Sequence, residues 1–237
     1  MALTNRTPEK DVNDLFTRVA PKYDLMNNVI SLGLQKKWRR IFIEKISIKD
    51  TDQCLDLCCG TGDSTLDLVK SCQHIVGLDF NEAMLKIAGK KSKAKHLDQE
   101  ITWLKADAMN LPFEDDTFDL VTICFGLRNV PDAGKTIAEA YRVLRPNGKF
   151  AILEMSRPTN PVIKLGWQIY FKLFPYFAKL THNQVADYQY LSRTSKAFLS
   201  AEQLKRLLEE KGFQKMVVSK LTWGAGAIHI GIKDKSI

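Results

Sequence analysis

The sequence predicts an α/β fold, a doubly wound and mostly parallel sheet of seven strands. Short apolar runs alternate with helical patterns through the middle of the chain, which is typical of the strand–helix units that build a parallel sheet. Two more strand patterns follow one another near the end of the chain, as in an antiparallel hairpin. Two helical patterns precede the first strand and are expected to form an N-terminal helical lid.

The repeated units supply five strands and three helices. Apolar runs bounded by turn residues predict strands at 54–57, 74–79, 101–105, 118–125 and 149–155. Apolar residues at helical spacing predict helices at 63–71, 82–91 and 134–144. Because helices separate most of these strands, we expect a parallel arrangement with the carboxyl ends at one edge.

Both ends of the chain depart from this repeat. Before the first strand, helices are predicted at 10–19 and 35–46. After the last repeated unit, a helix at 201–211 ends at Gly212, and strands follow at 213–220 and 227–233. The final hairpin is expected to complete the sheet.

The composition is that of an ordinary folded protein. Of 237 residues, 45% are hydrophobic and 26% are charged, which argues against a disordered chain. The formal net charge of +8 does not identify a partner by itself. The first ten residues lack the apolar stretch of a secretory signal, and no apolar run approaches the roughly 18 residues of a transmembrane helix. A cytoplasmic protein is therefore expected.

The cysteines predict neither a disulfide framework nor a metal centre. There are five, an odd number, which argues against a set of disulfides and fits a reducing compartment. Cys54, Cys58 and Cys59 are close in sequence, but no second pair of Cys or His stands at a workable spacing. No metal site is predicted.

Three predicted strand ends carry residues suited to a nucleoside. The turn after the first strand contains Gly60 and Gly62, which let the backbone approach a ligand closely. Asp79 ends the second strand, where a carboxylate can accept both hydroxyl hydrogens of a ribose. Asp107 and Ala108 follow the third strand, where an acidic side chain beside a backbone N–H can recognise an adenine edge.

The acidic residues of the turn indicate the kind of nucleoside. A dinucleotide-binding turn seats a pyrophosphate with a third glycine, which is missing here, whereas Asp56 and Asp63 flank this turn. Carboxylates repel phosphates and attract cations. S-adenosyl-L-methionine carries an ammonium and a sulfonium but no phosphate, so it is the predicted cofactor.

At this turn the sequence resembles the class I methyltransferase family, whose fold is Rossmann-like. Residues 55–62 are similar to the first motif of that family, although Cys58 stands where the family usually has its first glycine. Further segments resemble the ubiquinone/menaquinone biosynthesis methyltransferase family, and these are residues 23–28, 31–33, 38–40, 125–130 and 142–148. The resemblance extends over essentially the whole chain.

The resemblance implies where the cofactor is held. The implied cofactor-binding residues are Thr61, Asp79, Asp107, Ala108 and Cys124, together with Asp56, Gly60 and Gly62 of the turn. Relatives often have serine at position 124. Gln35 stands where relatives commonly have histidine, so no catalytic role is assigned to it.

The resemblance also implies the methyl acceptor, a polyprenyl naphthoquinol. The implied reaction is C-methylation of demethylmenaquinol to menaquinol, and the Cys58–Cys59 form of the turn is more like that of menaquinone-specific members. Two alternatives stay open, namely 2-polyprenyl-6-methoxybenzoquinol of ubiquinone biosynthesis and another small molecule. No Asn/Asp-Pro-Pro-Tyr sequence follows the fourth predicted strand, so no nucleic-acid partner is expected.

Methylation of a quinol ring carbon requires a group that draws the hydroxyl proton away while the carbon attacks. Arg128 is predicted to lower the pKa of that hydroxyl, and Asn129 to orient the ring. An ion pair of Arg128 with Asp132 is the alternative. Tyr23 is predicted to hydrogen-bond substrate or cofactor, with packing between lid and core as its alternative. His229 is expected to make a structural hydrogen bond, with a catalytic base as its alternative.

The elements divide one domain into four parts. These are an N-terminal helical cap (1–48), a cofactor-binding core (49–155), a substrate-side helical insertion (156–200) and a completion of the sheet (201–237). Residues 161–180 interleave aromatic residues with lysines, which fits either a pair of core-packing helices or a prenyl-tail groove that touches the inner face of the membrane. A homodimer also stays open.

Overall fold

Seven strands form a single sheet in this computed structural model, which describes residues 4–5, 7–72, 74–173 and 185–234. The strands are β1 (Gln53–Leu57), β2 (His74–Asp79), β3 (Ile101–Lys105), β4 (Phe118–Cys124), β5 (Leu144–Met155), β6 (Phe213–Leu221) and β7 (Gly226–Lys233). Their spatial order is β3-β2-β1-β4-β5-β7-β6.

The direction of the strands confirms the predicted fold class. The first five strands pair in parallel, and β7 lies antiparallel between β5 and β6. The strand order reverses at β1, where Leu57 aligns with Leu78 on one side and Ile123 on the other. The loops after β1, β2 and β4 therefore open at one edge, at the switch point where ligands bind in sheets of this kind.

Helices cover both faces of the sheet. They are α1 (Glu9–Val19), α2 (Tyr23–Ile30), α3 (Leu34–Ile46), α4 (Asp63–Leu68), α5 (Glu82–Ala94), α6 (Ala133–Val143), α7 (Pro161–Leu173), α8 (Val185–Ala197) and α9 (Ala201–Glu210). None of the helices in the described residues has the length and apolar character needed to cross a membrane.

The core has a layer on each face of the sheet. Leu55 and Leu57 of β1 belong to a buried cluster that includes residues of α6 and α9, and Cys54 belongs to a second cluster with residues of α3. This alternation follows from the period of two along a strand. A third cluster joins α1 to Phe171 and Tyr190, and so packs the N-terminal helices against α7 and α8.

Two segments differ from the sequence-based expectation. Residues 23–30 were expected to connect two helices but form α2. The sequence did not indicate this helix, because Lys22 at its start provides no side-chain cap and the usual start signal of a helix is absent. Strand β5 begins at Leu144 instead of residue 149, since Leu144 turns to an extended backbone and pairs with Phe118 before a shift in register. The part of segment 161–180 beyond α7 lies outside the described residues.

Candidate active site

The loop between β1 and α4 is built on three residues with a left-handed backbone. Cys58, Gly60 and Gly62 have φ of 52°, 56° and 82°. Packing also requires a glycine at position 62, since a Cβ there would lie 2.7 Å from the Trp103 ring. Cys58 adopts its conformation at a cost of about 1–2 kcal/mol, which a glycine would not incur.

Asp79 fixes the shape of this loop. Its Oδ2 accepts a hydrogen bond from the Gly60 N–H at 2.8 Å, and its Oδ1 accepts one from the Asn81 N–H at 2.8 Å. The residue is buried, and burial raises the pKa of its carboxyl to about 6 against the opposing effect of these backbone bonds. Each oxygen retains acceptor capacity for a ligand.

Asp79 lies in the wall of a cavity of about 150 Å³ at the carboxyl ends of the central strands, which we call the strand-end cavity. The predicted site residues in its wall are Tyr23, Gly60, Asp79, Asp107, Ala108, Cys124 and Asn129. Helix α1 covers it with Val12 and Phe16. Among the described residues of the wall, all the charged side chains are carboxylates, those of Glu9, Asp79 and Asp107.

Three predicted cofactor residues do not line this wall, namely Asp56 of β1 and the loop residues Thr61 and Gly62. Asp56 is fully buried and accepts hydrogen bonds from two threonine hydroxyls, one on α4 and one on β4, both at 2.7 Å. Burial raises the pKa of Asp56 to about 6. The Thr61 hydroxyl donates to Asp24 Oδ1 at 2.6 Å. Asp56 and Thr61 thus connect the loop to α4, β4 and α2 through hydrogen bonds.

A larger cavity of about 450 Å³, the outer cavity, adjoins the first. Its wall is mostly apolar and includes the aromatic residues Trp38, Trp167, Tyr170, Phe171 and Trp223. Arg128 is the one charged residue among the described residues that line it. Tyr23 and Phe125 line both cavities, so the two meet at these side chains.

Arg128 is paired with Glu154. Its Nη1 donates to Glu154 Oε1 at 2.5 Å and to the Phe125 carbonyl at 2.6 Å. Both members of the pair are buried, with Arg128 8% and Glu154 1% exposed. Asp132 instead caps α6, where its side chain accepts from the Lys135 N–H at 3.0 Å. The alternative interpretation, a pair of Arg128 with Asp132, is therefore wrong.

Asn129 is held in place by a network that reaches two distant parts of the chain. The Tyr190 hydroxyl donates to Asn129 Oδ1 at 3.2 Å. Asn5 Nδ2 donates to the Tyr190 hydroxyl and to the Asn129 carbonyl, both at 3.0 Å. The N-terminal residues and α8 thus fix the loop after β4, with Asn129 at the strand-end cavity and Arg128 at the outer cavity.

Tyr23 joins the cap to the core and also lines both cavities. Its ring packs edge-on against Phe16 of α1 at 6.1 Å between centroids. Burial raises the pKa of its hydroxyl, while a hydrogen bond with Asn27 and the charge of Arg128 act in the opposite direction. The packing interpretation of Tyr23 is therefore confirmed, and its hydrogen bond to substrate or cofactor stays a prediction.

His229 lines neither cavity. Its Nε2 lies 2.9 Å from the Ala201 carbonyl oxygen, and burial lowers its pKa, which favours the neutral ring. This is the structural hydrogen bond expected for it. Within the described residues no group of three or more His, Cys, Asp and Glu side chains is placed to hold a metal ion.

Nearly the whole chain matches one protein family. Residues 4–233 match the model of the ubiE/COQ5 methyltransferase family. The chain belongs to the ubiE/COQ5 methyltransferase family. It is 58% identical to the demethylmenaquinone methyltransferase of Lactobacillus johnsonii over 99% of this chain and 98% of that protein. It is 43% identical to the demethylmenaquinone methyltransferase of Lactiplantibacillus plantarum over 94% and 96% of the two chains.

Solved structures share the fold at low sequence identity. A SAM-dependent methyltransferase of Thermotoga maritima has a TM-score of 0.66 and 20% identity, over 94% of this chain and all of its own. Phosphoethanolamine N-methyltransferase 2 of Haemonchus contortus, solved with S-adenosyl-L-methionine, has a TM-score of 0.62 and 17% identity, over 83% and 52%. The predicted enzyme class, an S-adenosylmethionine-dependent methyltransferase, is confirmed by membership of the ubiE/COQ5 family.

Sequence patterns did not reveal several residues of the site in this ubiE/COQ5 family member. Glu154 bonds to Arg128 and Asn5 bonds to the Asn129 carbonyl, each from a distant part of the sequence. Glu154 carried one detectable signal, a carboxylate next to the last residue of an apolar strand. Phe125 has φ of 58°, which a bulky residue rarely adopts and no local pattern indicates.

Proposed function

We propose that this enzyme transfers a methyl group from S-adenosyl-L-methionine to a ring carbon of demethylmenaquinol, giving menaquinol. The meeting of two unlike cavities at Tyr23 and Phe125 carries the proposal. One cavity is acidic and suits a cationic cofactor, and the other is apolar and suits a prenylated ring. The names of the relatives that are 58% and 43% identical, both demethylmenaquinone methyltransferases, support the same acceptor.

The strand-end cavity fits S-adenosyl-L-methionine by charge. Its described wall carries three carboxylates and no lysine or arginine, so it favours an ammonium or sulfonium and disfavours a phosphate. When bound, the cofactor supplies a methyl group on positively charged sulfur. The proposed contacts are Asp79 with the ribose, Asp107 and Ala108 with the adenine, and Gly60 and Cys124 along the wall. Asp56, Thr61 and Gly62 are proposed to keep the loop in its binding shape.

The outer cavity fits a polyprenyl naphthoquinol by its apolar wall. Aromatic and aliphatic side chains stabilise a prenyl chain by removing it from water. Arg128 places a positive charge at the same cavity, where it would stabilise the oxyanion that develops on the ring hydroxyl. The reduced quinol is the expected form, because only an electron-rich ring carbon attacks a methyl group. As the carbon–methyl bond forms the methyl–sulfur bond breaks, and the hydrogen of that ring carbon then leaves as a proton to solvent, which restores the aromatic ring.

Two further residues are proposed to orient the reacting groups. Asn129, fixed by Tyr190, would hold the naphthoquinol ring. Tyr23 would contact both the cofactor and the quinol where the cavities meet. Holding two reactants in line contributes a large part of the acceleration in such transfers. Arg128, Asn129 and Tyr23 are therefore the proposed catalytic residues.

A labelling experiment tests the acceptor. Purified protein is incubated with methyl-labelled S-adenosyl-L-methionine and with reduced demethylmenaquinone, 2-polyprenyl-6-methoxybenzoquinol or RNA in separate reactions. We expect label in the naphthoquinol, and none when the quinone is left oxidised. Faster labelling of the benzoquinol would replace the proposed acceptor with that of ubiquinone biosynthesis. Label in RNA alone would overturn a quinol methyltransferase.

We also propose that α7 contacts the inner face of the membrane beside the outer cavity. Val162, Leu165 and Ile169 share one face of the helix and are 78%, 58% and 51% exposed. Exposed Lys164 and Lys172 lie on the same helix and would attract anionic lipid headgroups. A polyprenyl quinol resides in the bilayer, so this placement would shorten its path to the cavity.

Vesicle co-sedimentation tests this contact. Binding to vesicles with anionic lipid is expected at low salt, and the double variant Val162→Ser/Leu165→Ser should bind less. Val217→Ser is the matched control, because Val217 is an apolar residue of β6 that is 52% exposed. Equal binding of both variants, or no binding at low salt, would contradict a contact through α7.

A further inference from the structure

Glu154 is a carboxylate in a place that usually excludes charge. It lies near the end of β5 between Leu153 and Met155 and is 1% exposed. Burial of an ionised carboxylate is strongly unfavourable unless partners compensate it. Its Oε1 accepts from Arg128 Nη1 at 2.5 Å and from the Met155 N–H at 2.7 Å, and its Oε2 accepts from the Arg128 N–H at 3.2 Å.

These bonds hold Arg128 at one end of its guanidinium group. Nη1 uses its two hydrogens on Glu154 and on the Phe125 carbonyl. Within the described part of the chain, Nε and Nη2 make no hydrogen bond, and Nε is buried. A buried donor without a hydrogen bond costs about 1–3 kcal/mol of stability. A purely structural role for Arg128 would favour an arrangement in which Nε also has a partner.

The neighbour that shares Nη1 lies at the centre of the site. Phe125 lines both cavities and has φ of 58°, a strained backbone for an aromatic residue. This backbone conformation of Phe125 directs its carbonyl at Nη1 of Arg128. Glu154 and Phe125 together fix where the positive charge of Arg128 stands relative to the junction of the cavities.

We infer that Glu154 is a positioning residue that sets both the place and the effective charge of Arg128 in the methyl transfer. The inference rests on the proposed function, in which Arg128 acts on the hydroxyl of the acceptor. The carboxylate beside Nη1 offsets part of the guanidinium charge. The electric field at the acceptor hydroxyl is therefore that of Arg128 and Glu154 together. Stability alone does not account for the pair, because buried ion pairs are often no more stable than apolar replacements.

Glu154→Gln tests the charge. Glutamine keeps an oxygen for Nη1 but removes the negative charge, so the full charge of Arg128 acts on the acceptor hydroxyl and lowers the pKa of that hydroxyl. Because ionisation of this hydroxyl activates the ring carbon, kcat should rise with pH on the alkaline side of its profile. This rise, the alkaline limb, should move to lower pH by about 0.5–1 unit in the variant. The dissociation constant of S-adenosyl-L-methionine should stay within about twofold, since Glu154 is absent from the wall of the strand-end cavity.

The other titratable groups near the pair, among the residues that the structure describes, do not produce this limb. They are Tyr23 on α2, Tyr190 on α8, Cys58 in the loop after β1 and Cys124 on β4, and burial raises the pKa of each above its ordinary value. They therefore stay neutral through the neutral range. Asp79, with a pKa raised to about 6, titrates on the acid side of the profile.

Glu154→Asp tests whether Glu154 sets the position of Arg128. Aspartate keeps the charge but withdraws the carboxylate by one methylene, so kcat should fall at least about tenfold while the alkaline limb stays near its wild-type position. Asp116→Asn is the control for removing one acid of an ion pair, since Asp116 pairs with Lys233 at 2.7 Å and lines neither cavity. It should leave kcat and its pH profile unchanged.

The two results can be separated from the fate of the proposed function. If the wild-type enzyme labels no quinol, the proposed function fails before any variant is compared. If the wild-type enzyme does label the quinol, two results together would overturn the role of Glu154 alone. Glu154→Gln would have a lower melting temperature but an unchanged alkaline limb, and Glu154→Asp would have the kcat of the wild type. Should Glu154→Gln not fold, kcat of the aspartate variant decides by itself.

Discussion

The hydroxyl of Thr61 donates a hydrogen bond to Asp24 at 2.6 Å. Thr61 belongs to the loop after β1, and Asp24 lies on α2, so this bond joins the N-terminal helices to the loop that forms the strand-end cavity. The second oxygen of Asp24 pairs with Lys91 of α5 at 2.5 Å. The same carboxylate thus connects the loop, the N-terminal helices and the core.

Removal of this carboxylate should weaken the binding of the cofactor. In Asp24→Ala both bonds are lost and the N-terminal helices separate more readily from the loop. The dissociation constant of S-adenosyl-L-methionine, measured by calorimetry, should rise about fivefold, which corresponds to ~1 kcal/mol. Glu82→Ala is the control, because Glu82 pairs with Lys86 on the exposed side of α5. An equal effect in both variants would refute the connection.

The loop after β4 should tolerate no side chain at position 126 while Cys58 is present. A Cβ on Gly126 would lie 2.4 Å from the Cβ of Cys58. Gly126→Ala should therefore lower the free energy of unfolding by about 1–3 kcal/mol. The double variant Cys58→Gly/Gly126→Ala should recover most of this loss, because the side chain in contact is removed.

Chemical denaturation measures these differences in stability. Gly166→Ala is the matched control, since position 166 lies in α7 and no heavy atom comes within 4 Å of a Cβ built there. That variant should be as stable as the wild type or slightly more stable. A double variant as unstable as Gly126→Ala alone would show that Cys58 is not the obstacle.

The affinity for the cofactor should rise with pH near 6. Burial raises the pKa of Asp79 to about 6, above its unfolded value, so the carboxyl is protonated below that pH and charged above it. Only the charged form attracts a cationic ligand, and the dissociation constant should fall as pH rises from about 5 to 7. In Asp79→Asn binding should be weaker, and this step should disappear. A step that persists in that variant would assign it to another group.

Arg128 should be essential for turnover and unimportant for cofactor binding. Arg128→Ala should lower kcat by at least about a hundredfold because the developing oxyanion loses its stabilising charge. It would also leave Glu154 buried without its partner, so Arg128→Gln, whose amide can donate to Glu154, is the cleaner test. Steady-state kinetics and calorimetry measure the two effects.

The control for charge is Arg145→Ala. Arg145 pairs with Asp119 at 2.6 Å and lines neither cavity. That variant should turn over as fast as the wild type. Unchanged turnover in Arg128→Gln would remove Arg128 from the proposed chemistry.

The fold and the residues at the strand ends could be predicted from the sequence alone. Apolar alternation and glycine turns are local signals, so the seven-stranded sheet could be predicted without its long-range contacts. Asp79 and Asp107 could be predicted in the same way, because the ends of parallel strands meet at one edge. The helix at 23–30 was missed, since its start has no side-chain cap.

The partner of Arg128, in contrast, could not be predicted without the three-dimensional structure. Asp132 is the near neighbour of Arg128 in sequence, but the carboxylate of Asp132 accepts from the Lys135 N–H and caps α6 instead. Glu154 is 26 residues away and reaches Arg128 because β4 and β5 are adjacent parallel strands, with Cys124 aligned to Leu153. Pairing across a sheet depends on strand order, and strand order is set by packing of the whole core, which no local pattern records.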